Sequence, residues 1–262
     1  MNKIVQISIW IVVAISVLVA LGFVNKNQEL MVLKKPIINI DYETENRFID
    51  EEDVLVQIIN KNDTTPLLMK DIDVTELEKK INANAAIKSA QIYKTIDGNL
   101  VVDVKQRRSI ARIFSNNTSY YIDENGWLMP TSKTYTSRLL VVSGGYFEPY
   151  SKRYKYNYAH LNDSLVEKTM LDEIYKISKY IDESEFWKAQ IEQVYVNKDL
   201  EFELVPKVGN HKIVFGGIDN LKGKFEKLMI FYEKGLKKTG WNEYSTINLK
   251  YKNQVVCTKL YN

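Results

Sequence analysis

Ile4 to Val24 is a run of 21 residues without a charge, preceded only by Met1, Asn2 and Lys3. Coiled as a helix it is roughly 31 Å long at about 1.5 Å per residue, enough to cross a hydrocarbon core. Val, Ile, Leu and Trp10 fall on every side of that helix, so no polar stripe remains to face water. Everything after Lys26 is polar and mixed. The pattern implies a folded body tied to a membrane by one end. Ala20-Leu21-Gly22 also offers the small-x-small pattern of a removable secretory signal. The run exceeds the roughly 7–15 apolar residues of such signals, which favours an uncleaved anchor. Lys3 before the span and Lys26, Lys34 and Lys35 after it give no clear vote on orientation. A short leading tail before a long trailing domain points to an inside N-terminus and an exported body.

That body is large enough for one big domain or two small ones. The net charge is only +3 and both signs are interspersed, which leaves no electrostatic footprint for nucleic acid. Cys257 is the single cysteine, so no intramolecular disulfide supports the fold and core burial has to do so. The many tyrosines suit β-rich structure.

Pro36 to Tyr42 reads as a strand with Ile38, Ile40 and Tyr42 on one face. Asp50 is a candidate N-cap for a helix carrying Val54, Leu55, Ile58 and Ile59, and the acids behind it suit the positive helix end. Asp73 starts a second helix, with Glu76 at the capping-box position and Val74, Leu77 and Ile81 inward. Ile87–Thr95 and Asn99–Gln106 form two strands, joined at Asp97-Gly98 by a tight turn expected to need positive φ at both residues. The order strand, helix, helix, strand, strand makes a compact α+β module.

A different texture begins at Ile110. Short strands are expected at Ala111–Phe114, Tyr120–Ile122 and Leu139–Val142, separated by Asn116-Asn117 and Asp123-Glu124-Asn125-Gly126 and stopped by Gly144-Gly145. A helix from Ser164 to Ile181 follows, with Met170, Leu171, Ile174, Ile177 and Ile181 on its apolar stripe. Strands Ile191–Val196, Leu200–Val205 and Lys212–Phe215 come next. The helix Leu221–Lys238 turns Leu221, Phe225, Leu228, Met229 and Tyr232 inward and is closed by Gly240. Thr246–Tyr251 and Val255–Thr258 finish the chain.

Catalytic chemistry has no candidate residues. His160 and His211 are the only histidines, without zinc-type spacing, and each is expected at the surface. Asp50–Asp53 lacks the alternating ligands and turn glycine of a calcium loop and reads as a helix start. Asp123–Gly126 reads as a turn, Ser143-Gly144-Gly145 lacks a nucleophile elbow, and Gly216-Gly217 lacks a phosphate-loop ending. Tyr146, Phe147, Tyr150, Tyr154, Tyr156 and Tyr158 interleave with Lys152, Arg153 and Lys155. A surface loop accounts for them best, with contact to wall glycan as the alternative. The strand Thr246-Ile247-Asn248-Leu249-Lys250-Tyr251 lies near the C-terminus and is expected at a sheet edge, where unpaired N–H and C=O groups can accept a partner strand. An ordinary edge blunted by Lys250 and Lys252 is the competing account.

In layout the chain resembles the FtsQ/DivIB family of bitopic cell-division proteins, which have one membrane helix, a POTRA module and a β domain. Ile87-Lys88-Ser89-Ala90-Gln91-Ile92 resembles the family's V-x-x-A-x-V strand. Leu100–Val104 followed by Gln106-Arg107-Arg108-Ser109-Ile110-Ala111 resembles its L-x-V-x-V and E-R-x-P-V-A boundary. Tyr121-Ile122-Asp123 with Gly126, then Val214-Phe215-Gly216, Lys224-Phe225 with Leu228, and Ile247-Asn248-Leu249-Lys250-Tyr251 resemble its later blocks. Gln106, Ser109, Ala85, Asn248 and Lys250 depart from the family's Glu, Pro, Pro, Asp and Arg.

The resemblance implies an α+β fold with a tail at 1–3, a transmembrane helix at 4–24, a linker at 25–35, a POTRA module at 36–108 and a β domain at 109–262. It implies a scaffold without cofactor or catalysis, in the inner membrane at the division septum. Its partners are FtsB and FtsL, with strand addition at the C-terminal sheet edge and other division proteins on the POTRA module. Carried onto this chain, the implied partner-binding residues are Ile247, Asn248, Leu249, Lys250, Tyr251, Asn253 and Gln254. A POTRA-type chaperone for exported polypeptides and a membrane-tethered wall enzyme are the alternatives.

Overall fold

The computed structural model describes residues 9–19, 31–59, 67–115, 118–132, 135–146 and 169–260. Residues 4–8 and 20–24 of the apolar run, residues 147–158 of the tyrosine-rich segment, and His160 lie outside the described residues. Residues 9–19 are helical, with Trp10, Leu18 and their Ile and Val neighbours exposed. No helix among the described residues is long and apolar enough to cross a membrane. The chain divides into two units, residues 1–43 with 49–106 and residues 44–48 with 107–262.

The first unit contains β1 (Ile37–Asp41), α1 (Glu51–Ile58), a 3₁₀ turn at Met69–Asp71, α2 (Val74–Asn82), β2 (Ile87–Lys94) and β3 (Leu100–Gln106). Its sheet order is β1-β3-β2, with β1 parallel and β2 antiparallel to β3. The helix starts follow from the acids. Asp50 accepts from Asp53 N–H at 2.8 Å while the Asp53 carboxylate accepts from Asp50 N–H at 3.1 Å, a reciprocal capping box. Asp73 accepts from Glu76 N–H at 3.0 Å. Val54, Ile58 and Ile81 are buried, as are Leu100, Val102, Val104, Ala90 and Ile92 of the sheet. The β2–β3 turn differs from the expected two-residue form. Only Gly98 has positive φ (75°), Gly98 N–H donates to Thr95 at 3.1 Å, and Thr95 N–H donates to Asn99 at 2.9 Å. This is a three-residue loop in which a type I turn precedes a left-handed glycine, so Asp97 stays in an ordinary conformation.

In the second unit a nine-stranded sheet runs in the order β12-β11-β10-β9-β8-β7-β4-β5-β6. Its strands are β4 (Ser109–Ser115), β5 (Thr118–Asp123), β6 (Leu128–Met129), β7 (Leu140–Gly144), β8 (Ile191–Val196), β9 (Phe202–Pro206), β10 (Lys212–Gly216), β11 (Tyr244–Asn248) and β12 (Val256–Lys259). Among the described residues the helices between them in sequence include α3 (Met170–Asp182), α4 (Glu185–Gln190) and α5 (Leu221–Ile230). Leu171, Ile174, Ile177 and Ile181 of α3 and Phe225 and Leu228 of α5 share one core with Ile113, Val142, Val194, Leu204, Phe215 and Ile247. The sequence reading lacked α4, which Ser184 caps and Trp187 fastens into the core. The helix expected over Leu221–Lys238 loosens into a π-helix at Phe231–Leu236, where Gly235 leaves room for the Phe231 ring. Gly144 is the last residue of β7, where the strand was expected to stop. Its φ of 148° and the Val196 carbonyl 2.0 Å from where a Cβ would stand restrict the site to glycine.

Candidate partner-binding edge

The strand expected at the edge is not there. β11 pairs in parallel with β10, through Lys212↔Thr246, Ile213↔Ile247 and Val214↔Asn248, and on its other side antiparallel with β12. Proximity to the C-terminus was a poor guide, because residues 256–259 fold back over β11 and take the last position themselves. The expected strand also ends earlier, at Asn248. The edge is β12.

Among the described residues nothing pairs with the outer side of β12. Leu260 N–H donates inward to Glu243 C=O at 2.9 Å, so by alternation the N–H and C=O groups of Cys257 and Lys259 point outward. Val256, Thr258, Lys259 and Leu260 are exposed, whereas Cys257 and Val255 pack on the core. Burial raises the Cys257 thiol above its ordinary pKa.

The seven residues singled out from the sequence divide into three groups here. Ile247 and Leu249 are fully buried, and Leu249 N–H extends the sheet by donating to Val214 C=O at 2.9 Å. Asn248 and Lys250 shape the turn. The Asn248 side chain accepts from Lys250 N–H at 3.0 Å, and Lys250 Nζ reaches Glu201 at 2.7 Å, which raises its pKa. Tyr251, Asn253 and Gln254 are exposed in the β11–β12 connection, where Asn253 takes a left-handed φ of 59°.

Lys227 of α5 fixes this connection, and Lys224 one turn earlier fixes the one between β10 and α5. Lys227 Nζ donates to the carbonyls of Leu249 at 2.8 Å and Tyr251 at 2.7 Å. The buried Lys224 donates to Gly217 C=O at 2.8 Å and pairs with Asp219 at 3.0 Å. Gly216 has φ of 77°, and a Cβ there would stand 3.0 Å from Lys250 Cγ. The signal for Lys227 was its place on the helix before the last hairpin, one turn after Lys224.

Other elements serve the fold. Asp123 is fully buried and accepts from Trp127 N–H at 2.7 Å, Asn125 N–H at 2.9 Å and Arg107 at 3.0 Å, making the expected turn. Burial nevertheless lifts its pKa above the ordinary value, with these bonds pulling the other way. His211 is buried rather than exposed, which corrects the surface expectation. Its ring packs beside Tyr232 and Trp241, and Nε2 lies 3.2 Å from Tyr232 Oη. Burial lowers its pKa. A histidine just before a strand gives no periodic signal, so its aromatic neighbours 21 and 30 residues later were invisible locally.

The first unit has an edge of another kind. β2 is terminal in its sheet, yet α2 covers it. Asn82 accepts from Ala90 N–H at 2.8 Å and donates to Ala90 C=O at 3.4 Å, and Glu78 accepts from Ile92 N–H at 2.8 Å. Three groups that a partner strand would need, Ala90 N–H and C=O and Ile92 N–H, are already bonded.

Comparison with known proteins agrees with this two-part organisation. A POTRA-like domain matches residues 32–105, and a domain described as FtsQ/DivIB, C-terminal related matches residues 108–258. No curated protein matches the chain. No catalytic family is among the matches, and both point to a scaffold of cell division. With more than half its length covered by the second match, the chain belongs to the FtsQ/DivIB, C-terminal related family.

Proposed function

We propose that this protein is a non-enzymatic divisome scaffold that receives a strand from an FtsB-type partner at the outer side of β12. FtsL joins the same complex, and other division proteins bind the POTRA-like unit. In this reading residues 4–24 anchor the chain in the cytoplasmic membrane with the N-terminus inside, and the exported body works at the septum. There it links early and late division proteins and helps control septal wall synthesis. The family's association with the division septum supports the location. The exposed apolar side chains of residues 9–19 support the anchor.

The observation that carries the proposal is the open edge itself, with outward backbone groups at Cys257 and Lys259 and exposed Val256 and Leu260 beside them. Tyr251, Asn253 and Gln254 would flank the incoming strand, and Ile247, Asn248, Leu249 and Lys250 hold the edge in place. The bonding of Ala90 and Ile92 to α2 counts against strand capture at β2 in the chaperone alternative.

The test measures binding of the full-length protein in detergent to the exported segment of the co-resident FtsB-like protein. Lys259→Pro removes an outward N–H at the exposed end of β12 and is expected to weaken binding by roughly tenfold or more with the fold intact. Tyr251→Glu should weaken it less. Unchanged binding in both variants would rule out this edge, and no binding by the native chain would count against the divisome reading.

A further inference from the structure

The second unit has a groove of about 610 Å³ that the edge reading does not use. It opens where β4, β7 and β8 begin, beside the α3–α4 junction. Its apolar floor is Ile110, Phe114, Leu140, Val141 and Ile191. Four cations line it, Arg112, Arg138, Lys188 and Lys207, against two carboxylates, Asp182 and Glu192.

The carboxylates neutralise only one of these cations, Lys188. Asp182 is engaged by Arg108 at 2.8 Å and by Lys188 at 2.6 Å. Glu192 is exposed. Among the described residues Arg112, Arg138 and Lys207 form no ion pair, and Lys207 Nζ has only the Lys188 carbonyl at 3.2 Å. Arg112 is the informative one. It projects from mid-strand on the face opposite the core residues Ala111 and Ile113. Its guanidinium carbon lies 4.8 Å from the Phe114 ring centre and 5.6 Å from that of Tyr121. Nη2 reaches Ser119 at only 3.3 Å, and the buried Nε has no hydrogen-bond partner. A fixed cation with an unsatisfied buried donor is costly unless something supplies an acceptor.

We propose that this groove binds an acidic peptide segment of a partner protein, with carboxylates interleaved among apolar side chains. The cations come from separate chain segments spread around an apolar floor, rather than converging on one point as a phosphate site requires. The matching ligand carries its negative charges along its length, with apolar groups between them. This inference is independent of strand addition at β12.

The test is fluorescence anisotropy of a labelled eight-residue peptide alternating Glu and Leu, with a Lys–Leu peptide as control, against the full-length protein in detergent. The Glu–Leu peptide is expected to bind better than the control and to weaken as salt rises. An Arg112→Gln, Arg138→Gln double variant should weaken it by about tenfold, at an unchanged melting temperature. Lys259→Pro, which addresses the other site, should leave it unchanged. Equal binding of both peptides, an unaffected double variant, or loss on Lys259→Pro alone would each overturn the proposal. So would displacement of the peptide by phosphatidylglycerol vesicles but not by excess unlabelled peptide.

Discussion

β2 in the first unit and β12 in the second are both terminal strands, and the chain treats them in opposite ways. Along β2, Glu78 and Asn82 sit one helical turn apart on α2 and bond to Ile92 and Ala90, two residues apart on the strand. The helix thus stands in for a missing neighbour strand. Along β12 no helix side chain among the described residues does this. Lys227 of α5 reaches the preceding connection at Leu249 and Tyr251 and stops short of the strand. The opposite end of the large sheet is protected differently again, by making β6 only two residues long. Against β2, which the chain closes, and β6, which it shortens, β12 is left open.

The comparison can be broken most severely at the root of β12. Leu249→Ala empties a fully buried site where β11 ends and should cost the second unit about 2–5 kcal/mol. Trp127, Trp187 and Trp241 all lie in that unit, so denaturant unfolding followed by tryptophan fluorescence reads the loss. A change under about 1 kcal/mol would mean that the connection is held by Lys227 rather than by its apolar anchor. Opening the closed edge is the next largest effect. Glu78→Ala with Asn82→Ala should cost the first unit about 1–2 kcal/mol and leave Ala90 and Ile92 able to pair. Sedimentation should then show more self-association than the native chain shows, whereas an unchanged variant would show that the side chains are not what closes β2.

The smallest effect concerns pH. The buried His211 has its pKa lowered, so the unfolded chain takes up the proton first. Its contribution to stability is whole above about pH 6.5 and is lost as the pH falls below that value. Comparing unfolding near neutrality with unfolding about two units lower should show this slope in the native chain, and His211→Phe should flatten it.

Much of this architecture could be read from local chemistry. Asp50 and Asp73 announced their helices because a cap is decided within four residues. Asp123 and Gly126 announced a turn for the same reason, and the alternation at Leu100, Val102 and Val104 gave the buried face of β3. What failed depended on distant neighbours. Whether β11 or β12 was last depended on residues 256–259 folding back, although a strand had been expected there. His211 was buried by Tyr232 and Trp241 from other elements. The partial misreading of Asp97-Gly98 came from loop length, since one added residue moves the positive φ onto glycine alone. Gln106, where the family has Glu, makes sense only in three dimensions: its fully buried amide oxygen accepts from Ile49 N–H at 3.2 Å without a charge to desolvate.

The membership of Thr44–Phe48 in the second unit bears on how this protein can be dissected. In that unit Asn46 accepts from Tyr135 at 2.9 Å and from Ser137 at 2.7 Å, and the Phe48 ring meets Tyr121 edge-on at 4.8 Å. A cut between residues 106 and 107 looks natural on a linear map, yet it discards these five residues. The resulting fragment would expose an aromatic face and strand two hydroxyls, and its failure to bind a partner would say nothing about β12. A fragment starting before Thr44 avoids that false negative.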